Sequence, residues 1–181
     1  HRYFIELAYK GTNYHGWQVQ NNAPSVQEKL NEAISILTRQ PVETMGCGRT
    51  DAGVHASQFY AHVDFVDPIE SLPEFSRRIN AILPSDIFIF ETHQVENSAH
   101  ARFDATSRSY SYYISKKKSI FQPEHVWFCP FSLNISAMQE LSDLLLTHTD
   151  YGCFSKAGGQ QFTNLCTITE AQWIELDSGY Q

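Results

Sequence analysis

The sequence of 181 residues predicts an α+β protein with an antiparallel sheet. Alternating apolar residues mark short strands, and apolar residues at helical spacing mark helices between them. Over the first half of the chain these elements follow the order β-α-β-β-α-β, which is the split arrangement of a ferredoxin-like unit. The composition agrees with a packed core, because 42% of the residues are apolar and 18% are charged.

The composition also excludes several classes of protein. The apolar content excludes disordered, collagen-like and coiled-coil chains, and no apolar run reaches the ~18 residues that a bilayer span needs. The formal net charge of −7 by itself argues against a nucleic-acid partner. A local basic groove can nevertheless lie on an acidic body. The four cysteines lack metal-ligand spacing and predict reduced thiols in a cytoplasmic protein.

The first three elements follow from residues 3 to 45. Residues 3–9 alternate between two faces and predict a strand. Ser25 and Glu28 form an S-x-x-E capping box, and the apolar spacing after it predicts a helix over residues 26–38. A short strand is expected at residues 42–45.

The next three elements complete the first unit. Residues 58–65 alternate and predict a half-buried strand. Ser71 and Glu74 repeat the capping-box pattern and predict a second helix that stops near Pro84. The continuous apolar run at residues 87–91 predicts the last strand of this unit.

The second half begins in a similar way. Tyr110, Tyr112 and Ile114 alternate and predict a strand, and Asn134 precedes a predicted helix. Residues 167–176 predict a further strand. The pattern hints at a duplicated unit, although the sequence contains no visible repeat.

The end of the chain carries a hairpin signal at residues 177–179, with too few residues after it for a return strand. We therefore expect the chain to be a piece of a longer protein. The predicted division is a first ferredoxin-like unit over residues 1–98, which carries the catalytic loop described next, and a partial second unit over residues 99–181.

The densest polar cluster lies at residues 46–55, in a loop with three glycines between two predicted strands. Asp51 lies in this loop, and Arg49 is two positions away. A neighbouring cation lowers the pKa of a carboxyl group, and an ionised aspartate acts as a nucleophile or a base. From spacing alone, turn capping is the commoner role for such an aspartate.

Five segments occur in the order typical of the tRNA pseudouridine synthase A family, which the chain resembles. They are YHGWQVQ at residues 14–20, SVQEKL at 25–30, GRTDAGVHA at 48–56, HARFDA at 100–105 and RSYSY at 108–112. The resemblance implies the pseudouridine synthase fold, with two ferredoxin-like units, an antiparallel sheet and helices on one side. It also implies that the second unit is incomplete.

The same resemblance implies an activity. Family members isomerise uridine to pseudouridine in the anticodon stem-loop of tRNA, at positions 38 to 40. The N1–C1′ bond breaks, the uracil turns, and C5 joins C1′, with no cofactor and no metal. The target base has to leave the stack, so base flipping is expected. The implied partners are tRNA and a second copy of the chain, and no membrane is implied.

The resemblance also implies roles for individual residues. Asp51 matches the catalytic aspartate, and both attack on the nucleoside and removal of a ribose proton stay open. Arg49 matches an arginine that assists base flipping, with a simple ion pair to Asp51 as the alternative. Tyr110 matches an active-site tyrosine whose ring packs on the uracil and whose hydroxyl is a candidate for handling the C5 proton.

Four further residues are assigned to substrate binding. Arg102 and Arg108 are expected to contact RNA, and surface ion pairs are the alternative. Gln18 and His55 are expected to line the cleft, and hydrogen bonds within the loop are the alternative.

Three other functions compete with this one. The first is a non-catalytic RNA-binding fragment or relative of the family. The second is a metal hydrolase using His15, His55, His62 and Asp51, but His55 and His62 are seven residues apart and point to opposite faces of a strand. The third is an aspartic protease, which needs a second matched loop that the sequence lacks.

Overall fold

The structure is a computed structural model that describes residues 1–121, 123–155, 163–176 and 179–180. The chain divides into two compact units, His1–Arg108 and Ser109–Gln181. The boundary expected after residue 98 lies inside the first of these units. Among the described residues, no helix combines the length and the apolar character that crossing a membrane requires.

The first unit, which is described without a gap, follows the predicted order of elements. It contains β1 (Arg2–Tyr9), α1 (Val26–Thr38), β2 (Met45–Gly46), β3 (Ala56–Asp64), α2 (Leu72–Asn80) and β4 (Ile87–Val95). The strand order in the sheet is β2-β3-β1-β4, and each neighbouring pair is antiparallel. The α+β class with an antiparallel sheet is therefore confirmed.

The alternation along β1 determines which face of this sheet is buried. Tyr3, Ile5, Leu7 and Tyr9 are buried, whereas the residues between them are partly exposed. The apolar faces of α1 and α2 belong to the same buried cluster as these four side chains. Complete burial of a Leu or Ile side chain contributes about 1.5–3 kcal/mol, so this cluster is the main source of stability in the unit.

The two predicted capping boxes have different outcomes. At α1 the backbone N–H of Glu28 donates to Ser25 Oγ (3.2 Å), and the N–H of Ser25 donates to the Glu28 carboxylate (3.4 Å). At α2 the prediction is wrong, because the Ser71 side chain makes no capping bond. The Glu74 carboxylate instead pairs with Arg77, 2.6 Å away and one turn along the helix.

Several element boundaries in this unit differ from the prediction, including those of β3, which spans Ala56–Asp64 instead of residues 58–65. The short strand β2 starts at Met45 rather than at residue 42. The helix α2 ends at Asn80, where the side-chain amide bonds both the N–H and the C=O of Ile89 at 2.8 Å. The strand β4 continues to Val95 because Arg2 and the rest of β1 pair along its whole length.

The second unit contains a second small sheet in its described part. Its elements are β5 (Tyr113–Ser115), β6 (Val126–Phe128), α3 (Ile135–Leu145), β7 (Glu175–Leu176) and β8 (Gly179–Tyr180). The strand order is β6-β5-β8-β7, with β5 and β6 parallel and the other pairs antiparallel. The helix predicted after Asn134 forms, and Asn134 caps it, since its Oδ1 accepts from the N–H of Ala137 at 3.1 Å.

The strands predicted in the second half are too long. Tyr110 and Tyr112 precede β5 and are exposed, because the paired part of this segment begins at Tyr113. The strand predicted over residues 167–176 is reduced to β7. The expectation that no return strand forms is wrong, since β8 pairs with β7. The turn residues 177 and 178 lie outside the described residues.

Candidate active site

The loop that carries Asp51 joins β2 to β3 in the first unit; we call residues 47–55 the Asp51 loop. Its first end is held by the short β2–β3 pairing and by a hydrogen bond from the N–H of Cys47 to the C=O of Tyr60 (2.7 Å). Gly46 allows this arrangement, because a Cβ there would lie 2.5 Å from the indole of Trp17. The loop therefore starts from a fixed point on the sheet.

A second loop, residues 10–18 between β1 and α1, lies beside the Asp51 loop. The N–H of Trp17 donates to the C=O of Thr50 (3.2 Å), and the N–H of Gly53 donates to the C=O of Tyr14 (3.1 Å). These two bonds are made on either side of Asp51. They explain why two segments more than thirty residues apart in sequence contribute to one site.

The close approach of the two loops requires glycine in the β1–α1 loop. Gly16 has φ +90°, and a Cβ there would lie 2.1 Å from the C=O oxygen of Thr50. A Cβ on Gly11 would lie 2.0 Å from the C=O oxygen of Val54. Any other residue at either position would have to displace the backbone of the Asp51 loop.

Side chains also hold the two flanks of the Asp51 loop. The hydroxyl groups of Tyr9 and Thr50 are 2.9 Å apart. His55, which is half-buried, accepts a hydrogen bond at Nδ1 from the N–H of Gly11 (3.0 Å). The geometry of His55 therefore matches the loop hydrogen bond that the sequence left open, while its predicted contact with substrate stays a prediction.

Asp51 differs from its neighbours in the loop. Its side chain is exposed, and among the described residues its carboxylate makes no hydrogen bond and no ion pair. Arg49 is also exposed and does not pair with Asp51. Neither the turn-capping role of Asp51 nor the ion-pair role of Arg49 has a contact to support it. The loop thus carries a carboxylate and, two residues before it, a guanidinium, neither with a partner among the described residues.

The predicted RNA contacts at Arg102 and Arg108 lie on the segment that follows β4. Arg108 Nη2 donates to the C=O of Cys47 (2.6 Å) and to the C=O of Arg102 (3.3 Å), so this segment is tied to the Asp51 loop. Both arginine side chains are exposed. A phosphate contact at either residue stays a prediction.

His62 anchors the same segment to the sheet, a role that sequence reasoning missed. The buried N–H of Ala101 donates to Nδ1 of His62 (3.1 Å), and the rings of His62 and His100 are 4.7 Å apart. Burial, followed by the charges of Arg2 and His100, lowers the pKa of His62. His62 lies at a polar position of an alternating strand, and this pattern predicts exposure. The segment that covers His62 is distant in sequence, so the pattern could not indicate its burial.

The remaining sequence-predicted residues are less connected. Gln18 is exposed at the end of the β1–α1 loop, and Tyr110 belongs to the second unit with 66% of its surface exposed. The described residues include no group of three or more His, Cys, Asp or Glu side chains arranged to hold a metal ion.

The fold and this loop define an α+β protein with an exposed aspartate on a glycine-rich loop. Comparison with models of known protein families gave no match. Comparison with curated proteins did. The protein named tRNA pseudouridine synthase A in Parabacteroides distasonis is 45% identical over 174 residues, which are 96% of this chain and 69% of that protein.

Two further relatives carry the same name. The one from Porphyromonas gingivalis is 46% identical over 176 residues, which are 97% of this chain and 70% of the relative. The one from Bacteroides thetaiotaomicron is 44% identical over 176 residues, with shares of 97% and 65%. This chain belongs to the tRNA pseudouridine synthase A family, and it spans 65–70% of the length of these relatives.

Proposed function

We propose that this chain catalyses the isomerisation of uridine to pseudouridine in tRNA, the activity for which its relatives are named. The observation that carries the proposal is the Asp51 carboxylate, which is exposed and unpaired among the described residues while the loop around it is held on both sides. Such a carboxylate is available to act as a nucleophile or a base on a bound uridine.

The chemistry needs no co-reactant, because uridine and pseudouridine are isomers. The N1–C1′ bond breaks and a C5–C1′ bond forms, C5 loses its proton to a base, and N1 ends protonated. A duplex base cannot reach a side chain on a surface loop, so the target nucleotide has to be flipped out. We assign this assistance to Arg49, whose guanidinium is exposed and unpaired in the described part of the chain and lies two residues before Asp51.

We propose the anticodon stem-loop, positions 38 to 40, as the target, and Arg102, Arg108, Gln18 and His55 as substrate-binding residues. The bond from Arg108 to the Asp51 loop supports a basic surface next to the catalytic aspartate on an otherwise acidic body. The assignment of Tyr110 to the bound uracil rests on the RSYSY motif alone.

The finer statements about fold and assembly are also proposals. The strand order β2-β3-β1-β4 with both helices in one buried cluster supports a ferredoxin-like unit of the pseudouridine synthase fold. A tRNA substrate and four free cysteines support a cytoplasmic location. The homodimer rests on the family resemblance, and sedimentation of the purified protein with and without tRNA tests it.

The experiment that tests the function compares two aspartate variants on unmodified tRNA. Asp51→Asn should lower the rate of pseudouridine formation at least about 100-fold, since general acid–base catalysis alone contributes that much. Asp67→Asn is the matched control, because Asp67 is also exposed and makes no hydrogen bond or ion pair among the described residues. Nucleoside mass spectrometry with site mapping provides the readout.

The control should react at the wild-type rate, and Asp51→Asn should still bind tRNA. Binding of tRNA without any product, unchanged by Asp51→Asn, would overturn the proposal and favour a non-catalytic RNA-binding protein.

A further inference from the structure

A group of hydrogen bonds at the base of the β1–α1 loop has no part in the chemistry described above. The hydroxyl of Tyr14 donates to one carboxylate oxygen of Asp86 (2.6 Å), and the side-chain amide of Asn13 donates to the other (3.3 Å). The N–H of Lys10 donates to the C=O of Asp86 (2.8 Å). Three bonds thus join this loop to the residue that precedes β4.

The bond between Tyr14 and Asp86 is partly sheltered from water. Tyr14 is 6% exposed, and Asp86 is half-buried. Burial, together with the hydrogen bond and the charge of Asp86, raises the pKa of Tyr14 well above its ordinary value. The hydroxyl therefore stays protonated and keeps donating, and a short hydrogen bond to a carboxylate is about twice as strong as one between neutral groups.

Tyr14 connects this anchor to the loop that carries the catalytic aspartate. Its side chain bonds Asp86, and its C=O accepts the N–H of Gly53, two residues after Asp51. Gly53 has φ +80°, so the course of the backbone after Asp51 depends on the conformation of Gly53. Since the Asp51 carboxylate makes no hydrogen bond or ion pair among the described residues, the backbone tethers on either side of Asp51 are what hold this residue in place.

We propose that Tyr14 and Asp86 are positioning residues for Asp51: their hydrogen bond fixes the β1–α1 loop, which in turn holds the Asp51 loop in its reactive position. Neither residue is assigned a contact with the substrate. The effect on rate rests on the proposed function of Asp51, whereas the effect on loop geometry does not.

The test uses Tyr14→Phe, Asp86→Ala, which leaves no side-chain acceptor for the Tyr14 hydroxyl, and the double variant. Each single variant should lower the single-turnover rate of pseudouridine formation 10- to 100-fold, because a displacement of about 1 Å at a reacting group has effects of this size. The affinity for tRNA should stay within about twofold of the wild-type value. The double variant should be no slower than the worse single variant, since both substitutions remove the same hydrogen bond. Hydrogen exchange of the Gly53 amide, followed by NMR, should become faster.

Ser76→Ala is the matched control, because it also deletes one hydroxyl from a buried hydrogen bond, that of Ser76 with Thr92 (2.8 Å), away from both loops. It should change neither the rate per folded molecule nor the exchange of Gly53. Equal effects of Tyr14→Phe and Ser76→Ala on both readouts would overturn the proposal. If the wild-type protein forms no pseudouridine, the proposed function fails, and the Gly53 exchange rate alone then decides whether the positioning holds.

Discussion

Gly16 and Gly53 both have positive φ, at +90° and +80°, but their surroundings differ. A Cβ on Gly16 would lie 2.1 Å from the Thr50 oxygen, whereas a Cβ on Gly53 would meet nothing within 4 Å. Gly53→Ala should therefore lower the free energy of unfolding by about 1–2 kcal/mol through backbone strain alone. Gly16→Ala carries the same strain and a backbone clash.

We expect Gly16→Ala to be the more destabilising change by at least about 1 kcal/mol, and to slow catalysis because Thr50 directly precedes Asp51. Urea unfolding of the two variants measures the difference. Equal losses of stability would mean that Thr50 moves freely, and that the contact between the loops does not fix the Asp51 loop.

A second residue, His62, leads to a prediction about how stability depends on pH. Its pKa is lowered in the folded state, so the folded protein favours neutral His62. The contribution to stability is complete above pH 6.5, the ordinary pKa of histidine, and is lost as pH falls from 6.5 through the folded-state value. Protonation at Nδ1 would also remove the acceptor for the Ala101 N–H.

The wild-type melting temperature should thus fall between pH 7 and pH 5 more steeply than that of His62→Asn, whose side-chain oxygen can accept the same bond without titrating. Calorimetry across this range is the measurement. Parallel pH profiles would assign the loss of stability to other groups.

At the scale of elements, the two helices of the first unit offer a matched comparison. Ser25 caps α1 with its side chain and is fully buried, whereas Ser71 at the same position of α2 makes no such bond. Ser25→Ala should lower the free energy of unfolding by about 1 kcal/mol. Ser71→Ala should change it by less than about 0.5 kcal/mol. Chemical denaturation with both variants tests this, and the reverse order would contradict the observed capping.

The same comparison explains why some elements could be predicted from sequence and others could not. The capping box at Ser25, the helix pattern after Asn134 and the alternation of β1 are local signals, and each has its expected outcome. The S-x-x-E pattern at Ser71 is an equally strong local signal, but the Glu74 carboxylate pairs with Arg77 instead. The length of β4 depends on its pairing with β1, so the residues of β4 alone do not predict where the strand ends.

At the scale of the whole molecule, some features of the candidate site could likewise be predicted from sequence and others could not. The motif around Asp51 pointed to the correct family, because GRTDAGVHA is specific and the other segments occur in order. The contacts that hold this loop could not be predicted from the sequence. The bonds from Tyr14 to Asp86 and from Ala101 to His62 join residues 72 and 39 positions apart, and only the folded sheet brings them together.

Burial is unevenly distributed over the chain, and this leads to a last prediction. The large buried cluster lies in the first unit, whereas Ile114 and Cys129 are the buried apolar residues in the described part of the second. The helix α3 has no buried residue, but α1, which is similar in length, buries one face. Opening α3 therefore exposes little apolar surface, and its opening free energy should be low.

Amide hydrogen exchange followed by mass spectrometry should find α3 at least about 100-fold faster than α1, which corresponds to a difference of about 2.7 kcal/mol in opening free energy. The comparison of two helices removes most of the dependence on secondary structure. Equal protection of the two helices would contradict the prediction, and it would require another surface to cover α3 in solution. Repeating the measurement at tenfold dilution would then identify that surface, because protection by a second copy of the chain weakens on dilution whereas protection from within one chain does not.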